Sequence, residues 1–223
     1  SVLRRRPLRL RVIGLIRADF LFWPIRNVSM QEIRKQVANL SPSHKALIIA
    51  KYAHADQVRK GTAKPYIIHP YSVYGTLLPH TNDEATLAAA LLHDVLEDVD
   101  PTRYSEQHMR EDFGDDIVTI VKLVTKDKTI TNWRQSNQAY LDVLWATNDH
   151  RALLVSASDK LDNLTTSLHD HAKEGDTFWA RFHAGKEEQK WWYGSIATLL
   201  QAKIPDHPLV PLYIQKVDEL SRR

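Results

Sequence analysis

Histidine, aspartate and glutamate recur in this chain at spacings suited to holding a cation beside a reactive water. Four short segments carry them: RKGTAKPYIIHP (59–70), ALLHDVLED (90–98), VTKDK (124–128) and SASDKLDNL (156–164). They supply His69, the doublet His93-Asp94, Glu97 and Asp98 one turn on, and the distant Asp159. Such a set can hold one divalent metal and still leave acids free to work on water. The chemistry it points to is hydrolysis of a phosphate compound.

A His-Asp doublet alone means little. With 11 histidines and 18 aspartates among 223 residues, about one is expected by composition. His169-Asp170, in the polar stretch SLHDHAKEG, reads as that chance doublet on a solvated helix end. His93-Asp94 follows the apolar run Leu87 to Leu92 and so sits at the end of a buried helix. Ionisable groups there are costly unless paired or bound to metal. Glu97 follows His93 by four residues and Asp98 follows Asp94 by four, which puts the four on adjoining helix faces. Asp94, Glu97 and Asp98 packed so closely repel one another without a cation. Asp159, Asn163 and Thr166 stand at i, i+4 and i+7 on a helix otherwise lined by Leu153, Leu154, Ala157, Leu161, Leu164 and Leu168. Asp159 can ligate a metal while Asn163 and Thr166 hydrogen-bond a ligand. His69 alone is an ordinary histidine at a helix start and becomes a ligand candidate only in this company.

The elements that must position these groups read as helices. There are seven glycines and no long alternation of apolar and polar residues, so a compact all-α domain is expected. Ser41-Pro42 marks a helix start, and residues 59–68 form a loop broken by Gly61 and Pro65. A short helix follows over about 70–78, and Asn82 caps the central apolar helix that ends in the doublet. Further helices are expected near 102–113, 115–125, 131–147, 149–173, 177–202 and 209–221. Trp191, Trp192 and Tyr193 read as core packing rather than a base-stacking platform.

Composition narrows the function classes. No cysteine is present, which excludes disulfides, thiolate metal sites and cysteine nucleophiles and suits the cytoplasm. The net charge of +3 conceals two regions. Residues 1–29 hold seven arginines against Asp19, whereas the remainder carries 23 basic and 26 acidic residues. A nucleic-acid binder is not indicated. Arg17 and Asp19 interrupt the apolar part of that arm, so it is not read as a signal peptide. No apolar run reaches the length of a membrane span, so stable membrane insertion is not expected. Residues 1–29 are read as a basic accessory extension, with an amphipathic surface segment as the alternative, and residues 30–223 as one domain.

These segments resemble the HD hydrolase domain of the RelA/SpoT family, whose members remove the 3′-diphosphate from the alarmones ppGpp and pppGpp. The resemblance covers roughly residues 40–170. It rests on Arg59-Lys60, Pro65-Tyr66-Ile67-Ile68-His69-Pro70, Ala90 to Asp98, Phe113-Gly114, Val124-Thr125-Lys126 and Ser158 to Asn163. It implies an HD-domain helical bundle in a stand-alone small alarmone hydrolase, similar to the metazoan one. It also implies one divalent ion, manganese, held by His69, His93, Asp94 and Asp159, with Glu97 and Asp98 serving the attacking water. Arg59 and Lys60 are suited to gripping phosphates, with Lys126 and Lys186 as weaker candidates. The chain departs from the family pattern at Ser156, usually lysine, and at Ser158, usually alanine. Two alternatives stand beside this reading. One is an HD phosphohydrolase acting on another nucleotide, such as a nucleoside monophosphate or NADPH. The other is a non-catalytic alarmone sensor, which would be expected to lack one of these acids or ligands. A small nucleotide is the expected partner, and self-association is left open.

Overall fold

Among the described residues, Ser29 caps the first helix. The computed structural model describes residues 28–59, 63–181 and 184–223. The basic arm, apart from Val28 and Ser29, and Lys60 therefore lie outside the described residues. The described chain is all-α, as its sequence pattern requires. Its only extended pairing, among the described residues, is an isolated bridge between Val58 and Pro65. No helix among them is long and apolar enough to cross a membrane. The chain divides into two compact units, one ending at Val121 and one running from Lys122 to Arg223.

In the first unit, α1 (Met30–Val37) starts where the Ser29 hydroxyl accepts from the Glu32 amide at 3.2 Å. Its buried Ile33 and Val37 are four residues apart and pack on α2 (Pro42–Ala53). Pro42 occupies the first turn of α2, where a missing N–H costs nothing. Ser41 stands at the cap position, but its hydroxyl meets the His44 ring at 2.7 Å instead of a backbone amide. Next come α3 (Ile68–Leu77) and α4 (Glu84–Leu92). α4 is the hub: Leu87 to Leu92 are all at most 5% exposed, and the helix packs on both α2 and α3. Truncating a leucine here would cost about 2–5 kcal/mol.

The cap of α4 is Asp83, not Asn82. Its carboxylate accepts from the Thr86 amide at 2.9 Å, three residues on, within the two- or three-residue reach of a capping side chain, whereas Asn82 is four residues away. α4 also stops at Leu92 rather than running through the acidic segment. A single turn, α5 (Val95–Asp98), resumes after His93 and Asp94. The helices expected at 102–113 and 115–125 meet within α6 (Glu106–Leu123), which bends at Gly114. There φ is 78° and ψ 175°, a conformation essentially confined to glycine.

The second unit contains α7 (Trp133–Ala146), α8 (His150–Glu174), α9 (Gly185–Lys203) and α10 (Leu209–Ser221). A 3₁₀ segment, Gly175–Arg181, separates α8 from α9. The single helix expected over 177–202 is therefore corrected. Gly175 and Gly185, at φ 64° and 71°, interrupt the regular backbone on either side. α8 packs on α9 and α10, and α9 packs on α7. Of the three aromatics expected in the core, Trp192 and Tyr193 are 5% and 6% exposed and belong to it, whereas Trp191 is half-buried with the Arg134 guanidinium 3.3 Å from its ring centroid.

Candidate metal centre

The first unit gathers three of the expected ligands around one oxygen. His69 is the second residue of α3, which fixes its ring against the end of α4. His93 caps the C-terminus of α4, and Asp94 occupies the cap position of α5. The Nε2 atoms of His69 and His93 lie 3.5 and 3.1 Å from Asp94 Oδ2. Both imidazoles are at most 2% exposed, and their rings meet edge to face with centroids 5.1 Å apart.

The protonation pattern of His93 follows from its backbone partner. Its Nδ1 lies 2.8 Å from the Ala90 carbonyl oxygen, which can only accept. The ring proton of the neutral imidazole therefore sits on Nδ1, and the Nε2 lone pair faces Asp94. This is the arrangement by which metal-ligating histidines are oriented.

Tyr66 ties the acids together. Its hydroxyl lies 2.6 Å from Asp94 Oδ2 and 3.1 Å from Asp98 Oδ2. One hydroxyl proton is shared by two carboxylates beside the Nε2 lone pair of His93, a concentration of negative charge. A divalent cation resolves that imbalance, so the donor set fits one. Asp98 is anchored by its amide on the Asp94 carbonyl at 2.7 Å, across the single turn of α5. Glu97 is half-buried on the same turn. Tyr66 stands within the segment that the sequence flagged, yet its role was not legible there. It acts through a hydroxyl reaching two residues about thirty positions away.

Arg59 is half-buried in the loop before α3, where its amide donates to the Lys64 carbonyl at 2.9 Å. Across the same loop the Tyr66 amide donates to the Gln57 carbonyl at 2.9 Å.

In the second unit α8 carries Asp159, 3% exposed. Its Oδ1 accepts from Asn163 Nδ2 at 2.6 Å, one turn along, and its Oδ2 pairs with Lys160. Asp159 and Asn163 of the stripe read from the sequence are thus bonded to each other, and the carboxylate is buried rather than solvated. Lys160 was not singled out by spacing. Its ammonium also lies over the rings of Tyr140 and Trp192, at 4.9 and 5.7 Å. Thr166 is half-buried on the same helix. Lys126 lies over the Trp192 ring at 5.2 Å. Burial drives the Tyr213 phenol well above its ordinary range, and the nearby Tyr193 and Asp159 add to the effect. Ser156 accepts from the Tyr140 hydroxyl at 2.9 Å. Lys186 is drawn elsewhere: its ammonium contacts the Arg223 carbonyl at 2.5 Å and Asp176 at 3.4 Å.

A family model described as HD domain matches residues 46–189. Over 145 residues the chain is 39% identical to a guanosine-3′,5′-bis(diphosphate) 3′-pyrophosphohydrolase of Aquifex aeolicus, a match covering 62% of this chain and 20% of that protein. The chain thus spans about a fifth of the length of the curated relatives it matches. Among solved structures it is similar to a metazoan ortholog of SpoT described as hydrolysing ppGpp. That match has a TM-score of 0.63 at 26% identity and covers 82% of this chain and 94% of the other. A Listeria monocytogenes structure, lmo0812, matches with a TM-score of 0.61 at 26% identity, over 70% of this chain and 99% of the other.

Proposed function

The chain belongs to the HD domain family, and on that premise we propose that it is a metal-dependent phosphohydrolase that removes the 3′-diphosphate from guanosine or adenosine alarmones. The observation that carries the reading is the convergence of two imidazole Nε2 atoms on Asp94 Oδ2, with Glu97 and Asp98 on the next turn. The nucleotide comes from the relatives, of which one is named for this reaction and another is described as hydrolysing ppGpp.

We propose that His69, His93, Asp94 and Asp159 hold the ion. Two imidazoles and two carboxylates without a thiolate suit Mn²⁺. The chemistry such an ion supplies is Lewis acidity toward water and a phosphate oxygen. Water attacks the phosphorus joined to the ribose 3′ oxygen. The P–O3′ bond breaks, pyrophosphate leaves and the 3′ oxygen regains a proton. Glu97 and Asp98 orient the water and accept its proton as the P–O bond forms. Arg59, Lys60 and Lys126 balance phosphate charge, while Asn163 and Thr166 hydrogen-bond the nucleotide. Lys186 reaches a phosphate only by leaving Arg223 and Asp176, so we assign it the smallest part. The absence of cysteine supports a cytoplasmic setting. We also propose that residues 30–223 suffice for this activity and that residues 1–29 are accessory. A protein starting at Met30 should then keep its turnover, and a melting point lower by more than a few degrees would make the arm part of the fold.

The test is incubation of the purified protein with Mn²⁺ and a panel of guanosine and adenosine 3′-diphosphates, nucleoside monophosphates and NADPH, with products separated by anion exchange. Pyrophosphate release from the 3′-diphosphates is expected. Turnover of NADPH or monophosphates alone, or binding without turnover, would overturn the proposal.

A further inference from the structure

Behind Tyr66 and Asp98 lies a histidine that the proposed ligand set does not use. His54 ends α2, is 2% exposed, and packs its ring against Tyr66 with centroids 4.9 Å apart. Its Nδ1 lies 2.6 Å from Gln57 Oε1. Gln57 Nε2 in turn donates to the Asp98 carbonyl at 2.6 Å. Because the amide nitrogen is committed to Asp98, the oxygen facing His54 must accept and His54 Nδ1 must donate. The lone pair is then on His54 Nε2, which is buried and meets no hydrogen-bond partner among the described residues. A buried imidazole with one idle nitrogen is an expensive way to fill a core. Burial lowers its pKa, with Gln57 and Asp94 opposing.

We infer that His54 is a positioning residue. It holds the Gln57 amide with its nitrogen toward Asp98 and props the Tyr66 ring, so that the Tyr66 hydroxyl bridges Asp94 and Asp98. The connections are short and converge. Gln57 receives the Tyr66 amide on its own carbonyl at 2.9 Å, so one residue touches both partners of the bridge. Without the Nδ1 donor, Gln57 can rotate its amide and the α5 end loses its tether. The effect on chemistry rests on the phosphohydrolase reading of the site, whereas the effect on Tyr66 does not.

Three substitutions separate positioning from bulk packing. His54→Asn keeps an N–H at the Nδ1 position, His54→Gln moves it toward the Nε2 position, and His54→Ala removes it. Each is made in the full chain, with and without 3-fluorotyrosine at Tyr66 as a fluorine NMR probe. His54→Gln and His54→Ala should lower kcat by about tenfold, because the Asp98 tether and the Tyr66 hydroxyl are displaced together, and raise the Mn²⁺ dissociation constant by no more than the roughly tenfold expected from losing that hydroxyl, with KM within about twofold. Their fluorine signal should shift or broaden, while His54→Asn recovers the native signal and kcat to within about threefold. An asparagine variant no better than the other two overturns the inference, as does an unmoved signal with unchanged kcat in all three. If His54→Ala does not fold, the asparagine and glutamine pair decides. If the wild type hydrolyses no nucleotide, the functional reading fails and the fluorine signal alone decides the role of His54.

Discussion

Tyr66→Phe removes one hydroxyl and leaves the rest of the ring in place, so its consequence can be worked from the geometry. The ring keeps its neighbours, with the centroid of His54 at 4.9 Å and that of His69 at 5.9 Å, so the fold should survive. The hydroxyl contact of 2.6 Å to Asp94 is the stronger, and the 3.1 Å contact to Asp98 the weaker. A hydrogen bond to a charged group contributes about 1.5–3 kcal/mol. Tyr66 is half-buried, so water can replace part of the loss and the lower end applies. About 1.5 kcal/mol on the Asp94 ligand corresponds to roughly a tenfold rise in the Mn²⁺ dissociation constant. The longer contact is worth about 0.6 kcal/mol, which lowers kcat at saturating Mn²⁺ by roughly threefold. Metal affinity is read by competition with a fluorescent chelator, and kcat by pyrophosphate release across a Mn²⁺ series. Metal affinity and kcat both within about twofold of wild type would refute the bridging role.

Other outcomes follow from the same structure. Asp159→Asn should lower metal occupancy, measured by elemental analysis after dialysis, and unchanged occupancy would remove Asp159 from the ligand set. Glu97→Gln should retain the metal yet slow turnover by about 10²-fold, the scale of general acid–base catalysis; near-normal rates in both Glu97→Gln and Asp98→Asn would reject the proposed roles. Gly114→Ala meets nothing within 4 Å, so its cost is backbone strain at φ 78° and ψ 175°, about 1–3 kcal/mol. Calorimetry should show a melting point lower by about 2–12 °C. Asp149 caps α8 and is held below the usual carboxylate range mainly by its hydrogen bond from the Arg151 side chain. A depressed folded pKa contributes stability that is complete above the ordinary value near 4 and is lost as pH falls through the folded value. Asp149→Ala should therefore destabilise at pH 7 by about 1 kcal/mol, with the gap to wild type narrowing in melts below about pH 4.

The sequence by itself determined the all-α class and nominated the candidate chemistry-bearing residues. Helical periodicity and caps are local, and the ligand types stand out once their spacing is read against burial. It placed His93 at a helix end because an apolar run cannot continue into His-Asp-x-x-Glu-Asp without meeting either solvent or a cation. It put Trp192 and Tyr193 in the core for the same reason of apolar spacing. Some boundaries escaped it: the cap at Asp83 rather than Asn82 turned on which oxygen reaches the Thr86 amide. The 3₁₀ break before α9 turned on backbone angles at Gly175 and Gly185. Only the tertiary structure decided which groups Tyr66 and His54 serve. Gln57 follows His54 by only three residues, but it and Tyr66 reach Asp94 and Asp98 across about thirty to forty positions, and no periodicity along one element encodes a hydrogen bond to another. It likewise paired Lys160 with Asp159 and drew Lys186 to Arg223, since a long flexible cation goes to whichever carboxylate or carbonyl the packing brings within reach.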